Sequence, residues 1–407
     1  MPAFRDRSRG GPEEVYAACG RVIGRFDRRR SGPISVLFVA GNEGQAYYVL
    51  TVVSSIVIHT NIALFGGAGF IGSHLARRLL REDYHLTIVD IDDEKIADVR
   101  SDDRVDFYEL DIRDGDDGTV WTIIEAADVV IDLIAYANPK QYVDMPLEVV
   151  HLNYDQNLRL VEDCVATDTR LIQFSTSEVY GKTGGRTGED LVFSEDSSDL
   201  TMGPVENHRW IYATAKQLLE RMVHAHGIEN DLDWTVIRPF NFIGREMDYL
   251  IREPDAGTPR VFASFMSALL YDHPMYLVDG GENRRSFTHI SDAVEAMVYV
   301  IDGEERYNRE VVNVGTPGNE TTIHDLAYLM RDVYEAQSGN GSVPPIKTVS
   351  GAEFYGEGYE DCERRIPDVT KLTDAGWEPQ YDLRETLEEA MSYYVEKYDQ
   401  PEAVSLD

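Results

Sequence analysis

The stretch NIALFGGAGFIGSHLARRLLR, residues Asn61–Arg81, decides the fold. It opens with the apolar run Asn61–Phe65, continues through a glycine-rich segment, and ends in Ser73–Arg81, whose apolar residues have helical spacing. A strand, a glycine turn and a helix in this order are typical of the first unit of a dinucleotide-binding sheet. Glycines let the backbone approach a pyrophosphate closely, and the helix N-terminus supplies N–H groups. We predict that the phosphate-binding residues are Gly66, Gly69, Phe70, Ile71 and Gly72.

An acidic residue follows at the spacing that such a turn requires. Asp90 ends the next apolar run, Leu86–Val89, about 20 residues beyond the glycines. Its carboxylate would accept a hydrogen bond from the adenosine ribose 2′-hydroxyl and would repel a 2′-phosphate. Ile91 and Asp92 follow and no arginine adjoins Asp90, so the sequence favours NAD over NADP. A glycine loop alone also marks an ordinary turn, and the prediction therefore depends on this context.

Apolar strands continue to alternate with helical segments after Asp90. Further runs at Val105–Glu109, Val129–Ile134 and Arg170–Phe174 flank helical patterns that include Pro146–Thr167. This alternation implies a parallel sheet with helices on both faces. We predict an α/β fold, with a Rossmann-like doubly wound parallel sheet and a smaller C-terminal α/β substrate-binding domain. Loops after these strands complete the predicted cofactor site with Asp111 and Ile112 beside the adenine and Ala135 near the phosphates.

Three later segments converge on one chemistry. Ser175–Gly181 follows a strand at the carboxyl edge of the sheet, where open α/β folds place their sites. Tyr212 and Lys216 lie one turn apart on one face of a helix. Lys216 can hold the nicotinamide ribose and lower the pKa of Tyr212, which then removes a hydroxyl proton as hydride leaves the same carbon. The third segment, Arg238–Asn241, ends a strand.

Each segment has a plain alternative when taken alone. A Tyr-x-x-x-Lys pair arises by chance, and a Ser/Thr cluster can be a turn or a helix cap. Their order after a dinucleotide fingerprint makes the set specific.

From Asn61 to about Tyr394 the sequence resembles the extended short-chain dehydrogenase/reductase family of nucleotide-sugar enzymes. It is most similar there to bacterial UDP-glucuronate decarboxylase domains of polymyxin-resistance proteins and to plant UDP-apiose/UDP-xylose synthases. The matching stretches are Phe174–Gly181, Gly203–Leu219, Val236–Gly244, Gly257–Phe262, Asp279–Thr288 and Glu353–Asp368.

A few positions distinguish the branches of this family. The similar 4,6-dehydratases carry Thr-Asp-Glu, whereas Ser177 here cannot protonate a departing C6 hydroxyl. Typical 4-epimerases have a small residue in place of Glu178, and Thr176-Ser177-Glu178 is the pattern of the decarboxylases. Plant apiose synthases carry two active-site cysteines, and the corresponding residues here are Ala137 and Ser177. The resemblance therefore predicts a decarboxylase that forms no apiose.

The resemblance also implies a mechanism, with NAD as cofactor and UDP-glucuronate as substrate. Tyr212 takes the C4 proton, hydride passes to NAD, and the 4-keto sugar loses its carboxylate as CO2. Glu178 and Ser177 orient the ring, and Arg365 assists proton delivery at C5. The product is UDP-4-ketopentose or UDP-xylose. The plain alternatives are a surface arginine for Arg365 and a solvated loop carboxylate for Glu178.

Further residues are expected to bind the UDP-sugar because they match positions that do so in these relatives. Arginines suit a diphosphate through bidentate contacts, although a structural ion pair is the alternative for each. Trp210 and Phe240 are expected in the core instead. The predicted substrate-binding residues are Arg209, Asn241, Arg260, Arg285 and Tyr359.

Two other functions stay open at this stage. One is a UDP-sugar 4-epimerase, such as UDP-glucuronate 4-epimerase, which would be supported if Glu178 were dispensable. The other is a non-catalytic NAD-binding scaffold, which the intact Tyr212 and Lys216 disfavour. The resemblance further suggests a homodimer formed through helices that flank the Tyr/Lys segment.

Composition limits the partners. The 407 residues carry 38 basic and 73 acidic side chains, a net charge of −35, which excludes a basic nucleic-acid-binding face and opposes binding to anionic lipid. Acidic residues are dispersed and lysines number seven, a pattern that indicates a surface adapted to concentrated salt. The three cysteines fit neither a disulfide framework nor a zinc site, so no metal is expected and a cytoplasmic setting is predicted.

The first 60 residues differ from the rest. They carry a net charge of +3, so the remaining 347 residues carry −38, and they show no helical or strand period at their start. Their two apolar runs are shorter than the roughly 18 residues that span a bilayer. We expect residues 1–60 to be an extension, disordered or mis-assigned; the alternatives are a lineage-specific structural addition and a membrane or targeting role. The predicted domains are 61–240 for NAD, 241–395 mainly for substrate, and a tail at 396–407.

Overall fold

The computed structural model describes residues 60–398 except 115–117, 184–190, 248–249, 253–259, 339–342 and 358, and also the backbone of two strands before them. The chain divides into two compact units, Met1–His59 and Thr60–Asp407. In the first unit, β1 (Ile34–Ala40) pairs antiparallel with β2 (Ala46–Val52). The rest of the extension predicted for residues 1–60 lies outside the described residues, as does most of the predicted tail.

The second unit is built on a seven-stranded parallel sheet. Its strands in chain order are β3 (Asn61–Phe65), β4 (His85–Asp90), β5 (Val105–Glu109), β6 (Val129–Asp132), β7 (Arg170–Phe174), β8 (Trp234–Pro239) and, after four shorter strands, β13 (Glu310–Val314). Their order across the sheet is β13-β8-β7-β6-β3-β4-β5, and every neighbouring pair is parallel. The predicted doubly wound parallel sheet is confirmed. The strand order reverses between β3 and β6, which creates a crevice at their carboxyl ends.

Alternating side chains of the central strand reach two separate apolar layers. Ile62 and Leu64 belong to one buried cluster, whereas Ala63 and Phe65 belong to the other. Successive residues of a strand point to opposite faces, so a strand buried on both faces is a nearly continuous apolar run. This is why the apolar run of β3 identified the centre of the sheet.

Helices cover both faces. They are α1 (Phe70–Leu79), α2 (Thr119–Ala126), α3 (Pro139–Asp144), α4 (Pro146–Val150), α5 (Asn157–Thr167), α6 (Ile211–Glu229), α7 (Val261–Tyr271), α8 (Ile290–Asp302), α9 (Glu304–Tyr307), α10 (Ile323–Ser338), α11 (Gly351–Tyr355), α12 (Thr370–Thr373) and α13 (Leu383–Tyr398). A π-helical stretch, His151–Gln156, joins α4 to α5, so the helix predicted for Pro146–Thr167 contains one widened turn. Within the described residues, every helix is too short or too polar to span a bilayer.

Short strands form small sheets in the second half of this unit. They are β9 (Phe242–Ile243), β10 (Met275–Val278), β11 (Arg284–Ser286), β12 (Thr288–His289), β14 (Glu320–Thr322), β15 (Ile346–Val349) and β16 (Arg364–Arg365). β9 pairs with β12, β10 with β15, and β11 lies between β14 and β16. The parallel register of β11 and β16 sets Arg284 opposite Arg364 and Arg285 opposite Arg365. Four arginines thus meet on one strand pair, two on each face.

Candidate active site

A cavity of about 430 Å³ opens at the carboxyl ends of the parallel strands. The glycine turn after β3, the loop after β6, the segment after β7 and the start of α6 all contribute to its lining. Residues from α7, β10, β11 and α11 also line it. The crevice that the strand order creates is therefore continuous with the second half of the unit.

The glycine turn has the geometry of a phosphate cradle. Gly66 has a φ of +77°, and a Cβ there would lie 3.1 Å from the Ile134 nitrogen. A Cβ on Gly72 would lie 2.5 Å from the Cα of Gly67, so the first turn of α1 packs directly on the loop. Asp90 Oδ2 accepts a hydrogen bond from the Ala68 N–H at 2.9 Å and ties the end of β4 to this turn. These residues fit the pyrophosphate and ribose of a dinucleotide.

The residues predicted to bind the cofactor divide into two groups. The cavity is lined by Gly66, Gly69, Phe70, Ile71, Gly72 and Ala135. Asp90, Asp111 and Ile112 are not among its lining residues. The Asp111 carboxylate is bound by Arg113, which also donates to the Tyr136 hydroxyl at 2.5 Å. Arg113 was not among the residues predicted from the sequence. Its positive charge is compensated by Asp111 near the predicted adenine site.

Helix α6 carries Tyr212 and Lys216, both buried. The Tyr212 ring lines the cavity and stacks on Tyr142, with ring centroids 4.7 Å apart and planes 10° from parallel. Lys216 lies behind the lining, and its Nζ donates to the Phe174 carbonyl oxygen at 3.0 Å. The two side chains lie in the same region, as their spacing on one helix predicts. Of the two, Tyr212 lines the cavity and Lys216 does not.

The direction of the Tyr212 pKa differs from the sequence prediction. Lys216 was expected to lower it, but burial and the nearby Glu178 charge raise the pKa of Tyr212 above its ordinary value. A hydrogen bond with Thr176 acts in the opposite direction and favours the phenolate. Lys216 is not among the five largest influences on this pKa, and its ammonium donates to the Phe174 carbonyl. Together, these influences favour the neutral phenol of Tyr212 over the phenolate.

The segment after β7 forms a single 3₁₀ turn, Ser177–Tyr180. Thr176 caps it, because its hydroxyl accepts a hydrogen bond from the Glu178 N–H at 3.1 Å. Thr176, Ser177 and Glu178 all line the cavity. The short helical turn thus brings these three consecutive side chains to the sugar-side wall of the predicted site.

Glu178 belongs to a buried cluster of charges. Arg209 binds it through two hydrogen bonds, with Nη2 2.7 Å from Oε1, and Arg365 Nη1 lies 3.7 Å from the same oxygen. On the other side, Arg285 Nη2 lies 2.7 Å from Asp361 Oδ2. Asp361 Oδ1 is also 3.8 Å from Arg209 and 3.9 Å from Arg365. We call these five residues the arginine cluster.

The arginine cluster keeps its carboxylates ionised. Burial alone would raise the pKa of Glu178, but Arg209 and Arg365 outweigh it and hold that pKa below its ordinary value. Burial opposes ionisation of Asp361 as well, yet Arg285 and then Arg209 lower its pKa to about 2. With three guanidinium groups and two carboxylates, the arginine cluster carries one net positive charge. In a low-dielectric wall, that charge favours an anionic ligand.

Unpaired donors point to the same conclusion. Arg365 Nε and Nη2 and Arg209 Nε are buried nitrogens without a hydrogen-bond partner in the described part of the chain. Each buried unsatisfied N–H costs free energy that a ligand oxygen would recover. Arg365 is only 3% exposed and the Glu178 side chain 15%, so neither is the surface residue of the plain alternative.

The other predicted substrate residues also reach the cavity. Asn241, Arg260, Arg285 and Tyr359 all line it. Asn241 Nδ2 donates to the Ser286 carbonyl at 3.1 Å, and Arg260 Nη2 approaches the Met247 carbonyl at 3.4 Å. The Tyr359 hydroxyl donates to Asp361 at 3.3 Å. Trp210 and Phe240 are buried in the core, as expected.

Several lining residues were missed by sequence reasoning. Tyr142 stacks on Tyr212, Tyr355 stacks on Tyr359 with centroids 4.2 Å apart, and Asp361 bridges three arginines. Asp361 lies within the quoted segment Glu353–Asp368, where its place between Tyr359 and Arg365 was the available signal. Among the described residues, no group of three or more His, Cys, Asp or Glu side chains is arranged to hold a metal ion.

Comparison with known proteins identifies the family. Residues 62–315 match the model of the NAD dependent epimerase/dehydratase family. The chain is 41% identical to UDP-D-apiose/UDP-D-xylose synthase 1 of Arabidopsis thaliana over 83% of this chain and 92% of that protein. It is 40% identical to UDP-D-apiose/UDP-D-xylose synthase of Oryza sativa subsp. japonica, over 83% and 89%. The crystal structure of PbgP3 protein from Burkholderia pseudomallei superposes with a TM-score of 0.71 at 31% identity, covering 83% of this chain and 96% of that one.

These matches cover the glycine turn, the Tyr212–Lys216 helix and the parallel sheet that joins them. The glycine cradle and the cavity fit the cofactor that the family description names. The chain belongs to the NAD-dependent epimerase/dehydratase family and is an NAD-dependent enzyme of the extended short-chain dehydrogenase/reductase type.

Proposed function

We propose that this enzyme is a UDP-glucuronate decarboxylase. The observation that carries the proposal is the arginine cluster, whose five residues line the same cavity as Tyr212 and carry one net positive charge. A hexuronate carries its carboxylate on C5, next to the C4 hydroxyl that a catalytic tyrosine would deprotonate. A neutral hexose would bring no negative charge to compensate the net positive charge of the arginine cluster. The synthases similar to this chain carry UDP-D-xylose in their names, which agrees with loss of the C6 carbon.

The proposed roles follow from the placement of the side chains. Tyr212 must first lose its phenolic proton to act as a base; the hydrogen bond with Thr176 favours the phenolate, whose Oη then accepts the C4 hydroxyl proton. NAD, when bound, accepts the C4 hydride, and Gly66, Gly69, Phe70, Ile71, Gly72, Asp90, Asp111, Ile112, Ala135 and Lys216 are the residues proposed to hold it. Arg209 and Arg365 orient the sugar carboxylate, while Ser177 and Glu178 orient the ring.

Carbon dioxide leaves because the oxidised sugar is a β-keto acid. The bond between C5 and the carboxylate carbon breaks, and its electron pair is held as an enolate that includes the C4 oxygen. A proton then returns to C5, which Arg365 assists through its buried N–H groups. Asn241, Arg260, Arg285 and Tyr359 are proposed to hold the UDP portion and the sugar. The product is UDP-4-ketopentose, or UDP-xylose if the ketone is reduced before release.

Incubation with NAD and UDP-glucuronate tests this function. We expect the reaction to release CO2 and to form a 4-ketopentose or UDP-xylose. The measurements are CO2 release and NMR of the product, each in low and in multimolar KCl. The alternative, UDP-glucuronate 4-epimerase, would instead give UDP-galacturonate without CO2 and would overturn the proposal. Tight NAD binding with no turnover of any nucleotide sugar would point to the scaffold.

A second prediction concerns the product. Ala137 and Ser177 line the cavity at the positions where apiose synthases carry cysteines. The described cysteines, Cys164 and Cys362, are buried and absent from the cavity lining. We therefore expect no branched, ring-contracted sugar in the NMR spectrum of the product mixture. Detection of UDP-apiose would contradict this, and an Ala137→Cys/Ser177→Cys variant would test whether thiols alone add that activity.

A third prediction concerns salt. We propose that the acidic surface is adapted to a salt-rich cytoplasm, because 347 residues with a charge of −38 repel one another in dilute buffer. Raising KCl from 0.1 M to about 3 M should screen this repulsion and raise the melting temperature by roughly 5 °C or more. Calorimetry measures the shift, and choline chloride at the same ionic strength separates screening from a specific potassium effect. A melting temperature that falls with KCl would count against the proposal.

The state of association is also a proposal. Leu147 on α4 is 82% exposed, and Leu218 on α6, the helix that also carries Tyr212, is 44% exposed. Covering these leucines would favour the homodimer that the resemblance suggests. Light scattering of the full chain should give twice the monomer mass, and Leu147→Asp with Leu218→Asp should halve it. A monomeric wild-type chain would rule the dimer out.

A further inference from the structure

Asp132 is a buried carboxylate at the end of β6 to which the proposed mechanism gives no role. Its Oδ2 accepts a hydrogen bond from Gln173 Nε2 at 2.7 Å, and its Oδ1 accepts one from the Ile134 N–H at 2.9 Å. The side chain is fully shielded from solvent. A buried charge of this kind is costly unless something compensates for it.

The contacts of Asp132 continue to Lys216 on helix α6. Gln173 Nε2 also approaches the Phe174 carbonyl oxygen at 3.3 Å, and the same oxygen accepts a hydrogen bond from Lys216 Nζ at 3.0 Å. Asp132, Gln173, the Phe174 carbonyl and Lys216 thus form one buried chain of contacts. This chain crosses from β6 through β7 to α6, behind the cavity wall.

The charges around Lys216 single out Asp132. Two carboxylates act on the ammonium, Asp132 from β6 and Glu220 from the next turn of α6. Glu220 is bound by Arg238 through two hydrogen bonds of 3.0 and 2.6 Å, so its charge is already compensated. Asp132 is bound by an amide and a backbone N–H, both uncharged, within the described residues.

Burial moves the pKa values of Asp132 and Lys216 towards their neutral forms, and each group is the largest opposing influence on the other. Burial lowers the pKa of Lys216, and Asp132 followed by Glu220 opposes that effect. Burial raises the pKa of Asp132, and Lys216 is the largest influence in the other direction. Other ionisable groups nearby are Tyr212 on α6 and Cys164 on α5, both neutral because burial raises the pKa of each.

Asp132 also supports the cofactor turn. The Ile134 N–H that it fixes lies where a Cβ on Gly66 would come within 3.1 Å. Asn157 Nδ2 donates to the Ile134 carbonyl at 3.0 Å and holds the following peptide unit. The end of β6 is therefore a fixed backing for the glycine turn.

We infer that Asp132 is a positioning residue that supplies the buried counter-charge of Lys216 and fixes it through Gln173 and the Phe174 carbonyl. The inference deepens the proposed function, on which it rests only for the role of Lys216. It assigns to one carboxylate the task of keeping the lysine protonated and in place at the cofactor side of the site.

The titration of Lys216 tests the inference without any sugar. The chain has seven lysines, so ¹³C-lysine NMR can resolve their titrations, and a Lys216→Arg variant identifies the signal of Lys216. Asp132→Asn should lower the pKa of Lys216 by about one unit or more, because the opposing charge is gone while burial remains. As the pH rises, Lys216 of the variant should lose its proton earlier than in the wild type. NAD affinity should therefore begin to fall at a lower pH in the variant than in the wild type.

Asp128→Asn is the matched control. Asp128 precedes the same strand at its other end, and its Oδ2 likewise accepts a backbone N–H, from Asn61 at 2.8 Å. This variant should leave the titration of Lys216 unchanged. A Lys216 titration in Asp132→Asn that coincides with the wild type would overturn the inference, whatever the enzyme does with UDP-glucuronate.

A second variant covers the case in which Asp132→Asn does not fold. Gln173→Met keeps an uncharged side chain of similar length but removes the N–H donor that favours the Asp132 carboxylate. Gln173→Met should lower the pKa of Lys216, as Asp132→Asn does, but by a smaller amount, because the Asp132 carboxylate is only partly destabilised. If the pKa of Lys216 were unchanged in this variant, Gln173 would not connect Asp132 to Lys216, and the inference would be wrong.

Discussion

Tyr212→Phe is expected to lower kcat for C4 oxidation by about 10²- to 10⁴-fold and to leave NAD affinity unchanged. The phenolic oxygen is the group proposed to accept the C4 proton, and loss of a general base has an effect of this size. The ring itself should stay in place, because it is buried and stacks on Tyr142 with centroids 4.7 Å apart. Single-turnover absorbance of NADH measures the oxidation step, and calorimetric titration measures NAD affinity.

Tyr180→Phe provides the control for removing a buried hydroxyl. Tyr180 is fully buried, lies outside the cavity lining, and donates to Asn313 Oδ1 at 2.8 Å. Its loss should cost stability of about 1 kcal/mol and leave kcat near the wild-type value. If Tyr212→Phe turned over at the wild-type rate while still binding NAD, the role of Tyr212 as base would have to be abandoned.

The sheet and the first half of the site could be predicted because their signals are local. The run before Gly66, the helical spacing after Gly72 and the position of Asp90 all fall within one βα unit and the next strand. Tyr212 and Lys216 likewise share one helix turn. Local periodicity decides which backbone is formed, and parallel strands then bring their carboxyl ends to one edge.

The arginine cluster could not be derived from local spacing. Arg285 meets Arg365 only because β11 and β16 pair in parallel register, and Asp361 compensates their charges from the preceding loop. The resemblance named Arg209 and Arg285 as ligands of the substrate and Arg365 as an aid to proton delivery, whereas the structure shows each of them near a carboxylate of Glu178 or Asp361. Sequence reasoning therefore named Glu178 and the three arginines, but neither Asp361 nor the network that connects the five residues.

The pKa of Tyr212 was mispredicted for a related reason. Burial and the charge of Glu178 depend on packing between distant segments, and both raise that pKa. A lysine one turn away suggested the opposite, but its ammonium points to the Phe174 carbonyl. The electrostatics of this site are tertiary properties, and they make the arginine cluster the most sensitive target for mutation.

Glu178→Ala should lower the free energy of unfolding by about 3–5 kcal/mol and abolish decarboxylation. Removing one partner of a buried ion pair leaves the other charge uncompensated, which is the costly case. Here Arg209 would lose both of its hydrogen bonds to Glu178, and the net charge of the arginine cluster would rise by one. Denaturant unfolding measures the stability, and CO2 release measures the activity of the folded fraction.

Glu178→Gln separates the catalytic effect from the structural one, because it keeps the shape and removes only the charge. We expect a smaller loss of stability but a fall in kcat of about 10²-fold or more, since the uncompensated arginines would hold the sugar carboxylate and oppose its departure. An active Glu178→Gln variant that interconverts UDP-glucuronate and UDP-galacturonate without CO2 would make Glu178 dispensable and favour the epimerase.

Glu320→Gln is the matched control, on β14, the strand that pairs with β11. Glu320 is bound by Arg364 through two hydrogen bonds of 2.7 Å each and also by Arg284 at 2.6 Å, and it lies outside the cavity lining. Arg284 and Arg364 occupy the face of β11 and β16 opposite to Arg285 and Arg365. This substitution should cost stability and spare kcat. If both glutamine variants lost turnover equally, the loss would reflect the strand pair as a whole, and Glu178 would have no special part in decarboxylation.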